Sequence, residues 1–285
     1  MDVFLIKMYG TELEKVMYEL FKSQLRSIIT TKSYKFTMLI IFGCIICVYI
    51  MNIRDYYGYE LSQMQSYVEI SSISSGRYTL TRIISVVFPF ISIIPAGFSL
   101  FGDIKTRREI YWIYRVGKRR YYITKALAVL IGTFACFFIP LLFENIINFI
   151  TFPVSAHGNR WYYSMYSKDF KIVANYFLFD IYFNYPFIYQ LIMSLLFSGI
   201  AAMFGFITAA ASCIINRYMA FLFLPCYLLV QIIDWMNIYG RFSDFIETCG
   251  IGVNGRKLFN FSITWGCVML VACALFYKNI RKDTL

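Results

Sequence analysis

The sequence predicts an all-α integral membrane protein with six transmembrane helices, and three observations support this prediction. Of its 285 residues, 59% are hydrophobic and only 15% are charged, too few charges to cover the surface of a soluble domain. Several apolar runs exceed the roughly 18 residues that a helix needs to cross a bilayer. Most basic residues lie in short segments between these runs, which is typical of cytoplasmic loops.

The N-terminal part predicts an amphipathic helix over residues 11–30, before the first crossing. Its apolar residues recur at helical spacing: Leu13, Val16, Met17, Leu20, Phe21, Leu25 and Ile28. The opposite stripe is charged: Lys15, Glu19, Lys22 and Arg26. Such a helix either lies in the membrane interface with its cations towards the headgroups or packs on protein as an ordinary surface helix. The pattern alone leaves both placements open.

The first three crossings are predicted at residues 36–52, 83–102 and 126–150. The polar segment between the first and second crossings is expected to be an external loop. Pro89 and Pro95 are expected to bend the second crossing, because each proline removes a backbone donor.

The last three crossings are predicted at residues 187–213, 218–237 and 261–277. The fourth crossing carries small residues about every four positions, and this spacing lets helix backbones approach closely. We therefore expect it to be central, packed against a neighbouring helix or a second protomer. The residues of this stripe are Ser198, Ala201, Ala202, Gly205 and Ala209.

Two external segments precede the fourth and sixth crossings. Residues 151–185 form a long aromatic-rich segment. Residues 238–260 contain four glycines and fit either a re-entrant or interfacial hairpin that closes the outer side or a plain surface loop. Residues near this side that we take as gate candidates are Glu144, Asp234, Phe242 and Phe245.

The loop at residues 103–125 mixes eight basic residues with aromatic ones, and only Asp103 and Glu109 oppose their charge. Of the 27 Lys and Arg residues in the chain, 18 fall in the predicted cytoplasmic segments and nine in the external ones. This distribution places both termini in the cytoplasm. A plain tether has no need of the aromatic residues, so we interpret the loop as a docking element for another protein.

The sequence lacks the motifs of several enzyme classes. Gly117 and Lys118 are followed by Arg119, and Trp112 stands where a phosphate-binding loop has its first glycine. One histidine supports neither a zinc protease nor a serine–histidine site. We therefore expect no enzymatic activity, no bound cofactor and no bound metal. The net charge of +11 follows membrane topology, so we expect no nucleic-acid partner either.

The whole arrangement resembles the permease subunits of type-2 ABC transporters, which have a type V-like fold. The resemblance rests on the six crossings, the amphipathic helix before the first, the outer hairpin before the last, and the loop that starts at Asp103 and ends in GKRRYYITKAL at residues 117–127. In that family this loop carries the coupling helix, which docks on the ATP-binding subunit.

The resemblance implies a dimer of two identical or homologous permease chains with two ATP-binding subunits, which hold ATP and Mg²⁺ in place of this chain. It also implies a bacterial cytoplasmic membrane. The residues expected in docking are Asp103, Arg107, Arg108, Tyr111, Trp112, Tyr114 and Arg115. The alternative reading of the basic residues is that they only fix topology and touch lipid headgroups.

The expected function is therefore ATP-driven export of an antimicrobial peptide or another amphipathic compound. The alternative is an ion channel, a secondary carrier or a membrane interaction protein without ATP coupling. The central thirds of the predicted helices are almost free of ionisable residues, which disfavours an ion-coupled carrier.

Overall fold

The computed structural model describes residues 2–72, 87–158, 164, 166, 178–215, 218–236 and 255–281. These residues form helices and short connections, with no β-strand in the described ranges. The α-helices in chain order are α1 (Asp2–Ile29), α2 (Lys32–Tyr56), α3 (Tyr67–Ile70), α4 (87–93), α5 (Ser99–Lys105), α6 (Arg108–Val116), α7 (Lys118–Thr151), α8 (Phe179–Asn184), α9 (Pro186–Ser212), α10 (Phe223–Met236) and α11 (Gly255–Arg281).

Three of these helices, α2, α7 and α9, are long and apolar enough to cross a membrane. They extend beyond the predicted first, third and fourth crossings at one or both ends. The described part of the chain is thus an all-α structure of a kind suited to a membrane.

Helices α7 and α9 form the centre of the bundle and run antiparallel. Asn145 Nδ2 donates to Ser194 Oγ at 2.9 Å, and further along the pair Gly205 lies against Thr133. The stripe of small residues on α9 faces this contact region and is buried within the chain: Ser198, Ala201, Ala202, Gly205 and Ala209. Of the two roles that the sequence leaves open for this stripe, the structure shows packing against helices of the same chain.

Helix α2 runs parallel to α7 along its second half. Phe42 meets Phe143 edge-on with ring centroids 5.5 Å apart, and Tyr49 Oη lies 2.9 Å from Thr151 Oγ1. The opposite face of α2 exposes large apolar side chains, which suit contact with lipid. They are Phe36, Leu39, Ile46 and Ile50.

The amphipathic stretch forms the second part of α1, and its apolar face is covered by the chain itself from Leu20 to Ile28, whereas Val16 is exposed. Leu25 and Ile28 lie so close to Gly132 of α7 that a Cβ at Gly132 would be 3.2 Å from Ile28 Cγ2 and 3.6 Å from Leu25 Cδ1. The charged stripe is exposed: Lys15, Glu19, Lys22 and Arg26. Packing on protein therefore accounts for the apolar side of this helix from Leu20 onwards.

The predicted second crossing is interrupted in its described part. Helix α4 ends at residue 93, a turn occupies residues 94–98, and α5 then begins. Pro95 explains part of this break because it has no N–H for the helical ladder. Gly97 allows this turn to pack closely against α9, because a Cβ there would lie 2.7 Å from Ile93 O and 3.2 Å from Thr208 Cβ. The turn can therefore approach α9 only with glycine at this position.

The helices at the last two predicted crossings have other bounds than the sequence predicts. A 3-10 turn at Met219–Leu222 precedes α10, which is 14 residues long. Helix α11 extends beyond residues 261–277 at both ends. Its Trp265 packs edge-on against Phe204 of α9, with ring centroids 5.0 Å apart, so α11 joins the same core.

The contact between α7 and α9 predicts that Gly205→Ala destabilises the protein. The new Cβ would lie 2.6 Å from Thr133 Oγ1, and the β-branched Thr133 has little rotamer freedom in a helix. We expect a loss of about 1–3 kcal/mol in the free energy of unfolding, measured by unfolding in mild detergent. Thr133→Ala should restore most of it in the double variant.

Gly199→Ala on the same helix is the matched control for this prediction. A Cβ at Gly199 meets nothing within 4 Å, so this change should be neutral or stabilising, because alanine favours helix over glycine. Equal effects of the two glycine substitutions would contradict the close approach at Gly205.

Candidate functional site

The bundle has two polar ends, which we name by the parts of α7 that lie there. The basic end is where α7 begins, at residues 118–125, and the closed end is where it finishes, at residues 144–151. The predicted docking loop lies at the basic end. There α6 is a separate nine-residue helix between two sharp changes of direction, at Arg107 (φ 57°) and Gly117 (φ 90°).

One face of α6 is exposed and combines apolar and basic side chains. Ile110, Tyr111 and Tyr114 are 49%, 63% and 83% exposed, and positions 110, 111 and 114 share one side of a helix. Arg107, Arg108 and Arg115 are exposed beside them. We call these six residues the α6 docking face. Large apolar side chains next to arginines are typical of protein–protein contacts.

The other face of α6 packs on the bundle and includes Trp112. Trp112 and Ile113 are partly buried against the main hydrophobic core. This placement differs from the expectation that Trp112 is a docking residue. Ile110, which the sequence reading did not select, is exposed in its place. The reason is helical geometry: Trp112 lies on the same side as Glu109 and Ile113, which face inward.

Asp103 also differs from its expected role as a docking residue. Its Oδ2 accepts from Lys125 Nζ at 2.6 Å and from Tyr121 Oη at 2.9 Å. The side chains of Asp103 and Lys125 are only 18% and 4% exposed. Asp103 therefore fastens α5 to the start of α7 instead of facing a partner.

Tyr122, next in the chain, connects α7 to two further elements. Its hydroxyl donates a short hydrogen bond to Glu109 of α6, and Asn279 Nδ2 of α11 donates to the same hydroxyl at 2.7 Å. We call Tyr121 and Tyr122 with their partners Asp103, Glu109, Lys125 and Asn279 the tyrosine junction. Through it, α5, α6 and α11 are all bound to the first two turns of α7.

Sequence reasoning did not select the tyrosine junction, although a signal for it exists. Two adjacent tyrosines begin a long apolar helix, and a tyrosine hydroxyl needs a partner when it is buried. Both tyrosines are buried, with 0% and 2% of their surface exposed. The acids available to them in the neighbouring segment are the two that oppose its basic residues, Asp103 and Glu109.

At the closed end, residues 66–72 are inserted between the helices. We call them the closing segment; it contains the short helix α3, and residues 66–71 are all buried. Residues 66–71 of the expected external loop thus pack inside the protein, and a segment with buried backbone must have its polar groups paired there.

Three long helices hold the closing segment through side-chain hydrogen bonds. Asn52 Nδ2 of α2 donates to Ile70 O at 2.9 Å. Gln190 Nε2 of α9 donates to Ser71 Oγ at 2.7 Å. Glu144 of α7 accepts from Ser72 N at 2.5 Å and from Ser72 Oγ at 2.6 Å. The segment therefore bridges α2, α7 and α9, the three helices of the described ranges that are long and apolar enough to span a membrane.

A second buried carboxylate, Glu69, organises the closing segment from within. It accepts from Ser66 N at 3.1 Å, from Tyr182 Oη at 3.1 Å and from Ser164 Oγ at 3.2 Å. Burial, with the nearby charge of Glu69, raises the pKa of Tyr182 well above its usual value. Burial and the same charge raise the pKa of Tyr166 to about 12. Both phenols therefore stay protonated and able to donate across the physiological pH range.

Of the four gate candidates, Glu144 is the one that the structure brings into this closure. Asp234 lies on α10, and its side chain is outside the described residues. Phe242 and Phe245 are also outside them, as is the expected hairpin at 238–260 up to residue 254.

No protein-family model, curated protein or solved structure matches this chain.

The tyrosine junction predicts that Asp103→Asn destabilises the protein strongly. Removing one member of a buried ion pair leaves the other charge uncompensated, so we expect a loss of about 3–5 kcal/mol in the free energy of unfolding. Asp180→Asn is the control, because Asp180 is exposed, and exposed ion pairs contribute about 0–1 kcal/mol. Replacing both partners, in Asp103→Leu with Lys125→Met, should recover most of the loss. Equal effects of Asp103→Asn and Asp180→Asn would contradict the junction.

The closing segment predicts that Glu144→Gln loosens its contact with α7. The change replaces one of the two acceptor oxygens by an NH2 group, which cannot accept, and a buried donor left without its partner costs about 1–3 kcal/mol. The measurement is the rate at which an impermeant maleimide labels a cysteine placed at buried Ile70, in a background without the native cysteines. Labelling should become about tenfold faster. Glu60→Gln, an exposed acid nearby, should leave the rate unchanged; an unchanged rate in Glu144→Gln would refute the closure.

Proposed function

We propose that this chain is the membrane-spanning permease subunit of an ATP-driven exporter of the type-2 ABC class. In this proposal it works as a dimer with two ATP-binding subunits in the bacterial cytoplasmic membrane. The basic end and both termini lie in the cytoplasm, in keeping with the excess of basic residues there.

The observation that carries the proposal is the α6 docking face. A short helix that exposes Ile110, Tyr111 and Tyr114 beside three arginines has an apolar centre for a partner and cations to pair with its acids. A helix that only fixed topology would require the arginines but not the exposed aromatic residues. An ATP-binding subunit with a complementary acidic and apolar cleft is the partner proposed for this face.

The inward face of α6 and the preceding helix α5 are both bonded to α7. Glu109 of α6 binds Tyr122, and Asp103 of α5 binds Tyr121. A displacement of α6 therefore also displaces the first turns of α7. Helix α7 is continuous for 34 residues, or about 51 Å, and carries Glu144 near its other end. Movement of α7 would therefore act on the hydrogen bonds that hold Ser72 in the closing segment.

The proposed transport cycle follows from this connection. ATP binding draws the two ATP-binding subunits together, they displace α6, and α7 shifts relative to the other helices that hold the closing segment. Opening there gives an outward route for the cargo class that the resemblance implies, an antimicrobial peptide or another amphipathic compound.

Replacing both exposed tyrosines of α6, in Tyr111→Ala with Tyr114→Ala, should uncouple the two subunits. Truncating aromatic residues at the centre of an interface costs about 2 kcal/mol or more each, so retention of the ATP-binding subunit and stimulation of its ATPase activity should fall at least about tenfold. Membrane insertion and thermal stability of the permease should be unchanged, because both side chains are exposed. Co-purification in mild detergent followed by an ATPase assay measures this.

The control for this experiment is Tyr57→Ala with Tyr59→Ala. These tyrosines are also exposed, by 86% and 41%, but they follow α2, whose second half lies against the closed end of α7. Their loss should leave coupling intact. Unchanged coupling in the α6 variant would overturn the proposal, and transport by the purified chain alone under an ion gradient would favour a secondary carrier instead.

A further inference from the structure

A cavity of about 280 Å³ with polar and apolar walls lies at the basic end, beside the tyrosine junction. It is bounded by the connection between α1 and α2, by the turn and α5 that interrupt the second crossing, and by Lys125 of α7. Several of its lining residues are exposed, among them Ser27, Ser33 and Arg108, so the cavity opens to the surface. Its volume is at the lower end of ligand pockets, about 300–1,000 Å³, and suits a headgroup better than a peptide.

Three residues of the cavity lining have hydrogen-bond donors that can bind a ligand. Ser99 Oγ is buried and has no hydrogen-bond partner among the described residues. Arg108 makes no ion pair to another described residue and presents a guanidinium with several N–H donors. Lys125 binds Asp103 with one donor and has others beyond it. A buried hydroxyl without a partner is costly to the protein, and a bound acceptor would remove that cost.

The charge of the lining favours an anion. Lys125 and Asp103 neutralise each other across 2.6 Å, which leaves Arg108 as the uncompensated charge among the described lining residues. The threonines of the lining bond to their own helices: Thr31 Oγ1 donates to Ile28 O at 2.7 Å, and Thr106 Oγ1 to Gly102 O at 2.8 Å. The donors of Ser99, Arg108 and Lys125 are thus those best placed for a ligand.

The remaining wall of the cavity is apolar and is formed by Ile28, Ile94, Pro95 and Phe98. A free inorganic anion gains nothing from such a wall, since apolar surface does not replace its lost hydration. A phosphate group attached to an acyl-bearing backbone gains on both sides, because its apolar part covers these residues.

We propose that this cavity binds the phosphate group of an anionic membrane lipid. Ser99, Arg108 and Lys125 donate to the phosphate oxygens, and Ile28, Ile94, Pro95 and Phe98 receive the apolar part next to the headgroup. The site lies where α5, the tyrosine junction and α1 meet, so a bound lipid adds to the contacts that hold α5 in place. The site needs no ATP-binding subunit to form, and it shares one residue, Arg108, with the α6 docking face.

The test is lipid retention by the purified full-length chain. The protein is incubated in detergent with equal amounts of phosphatidylglycerol and phosphatidylcholine, washed, and its bound lipid is quantified by mass spectrometry. Phosphatidylglycerol should be retained in preference, because the choline cation is repelled by Arg108. Ser99→Ala and Arg108→Gln should each lower phosphatidylglycerol retention about tenfold, as expected for losing a hydrogen bond to a charged group.

Arg119→Gln is the matched control, because Arg119 is an equally exposed cation at the same end that does not line the cavity. Its lipid retention should equal that of the unmodified chain, and thermal unfolding of Ser99→Ala should show an intact fold. Equal retention of the two lipids, or equal retention by Ser99→Ala and Arg119→Gln, would overturn the site. Stabilisation by inorganic phosphate alone, without preference for phosphatidylglycerol, would assign the cavity to free phosphate and overturn the lipid proposal.

Discussion

The arrangement of the basic end depends on the ion pair between Asp103 and Lys125. A turn at residues 94–98 separates α5 from α4, although Gly97 N still donates to Ile93 O across it at 2.9 Å. The ion pair and the bond from Tyr121 hold α5 against α7. A buried pair contributes little net stability because desolvation offsets its attraction. Its contribution here is geometric, because it fixes where α6 begins and which of its faces is exposed.

The closed end, like the basic end, is held together by buried polar side chains. Residues 66–72 enter the bundle, and α2, α7 and α9 each supply a side chain that pairs one of their polar groups: Asn52 binds Ile70 O, Glu144 binds Ser72 N, and Gln190 binds Ser71 Oγ. Hydrogen bonds of this kind are specific in direction but can be exchanged for water when helices move. Helix α7 is common to both ends. It therefore links a surface that is suited to a partner with a closure that is suited to opening.

The sequence predicted the helical class and the position of the long helices because apolar length and charge placement are direct signals. It did not predict the insertion of residues 66–72, since a short polar segment has no periodicity that reveals burial. It predicted an exposed, mixed aromatic and basic loop, but Trp112 and Asp103 face inward. Their placement depends on the bend at Arg107 and on partners from α7, which are set by tertiary packing. Ser198, Ala201 and Gly205 were correctly read as close-packing residues, but only the structure assigns them to α7 and its neighbours within one chain.

The central claim is that α6 presents its exposed face to an ATP-binding subunit. The most direct measurement places a photo-crosslinking amino acid at Tyr114 in native membranes and identifies the captured protein by mass spectrometry. Our account predicts capture of an ATP-binding subunit from position 114 and none from the same probe at Tyr57 beyond the end of α2. Capture of lipid alone at position 114, or labelling of Lys118 from outside the cell, would contradict it.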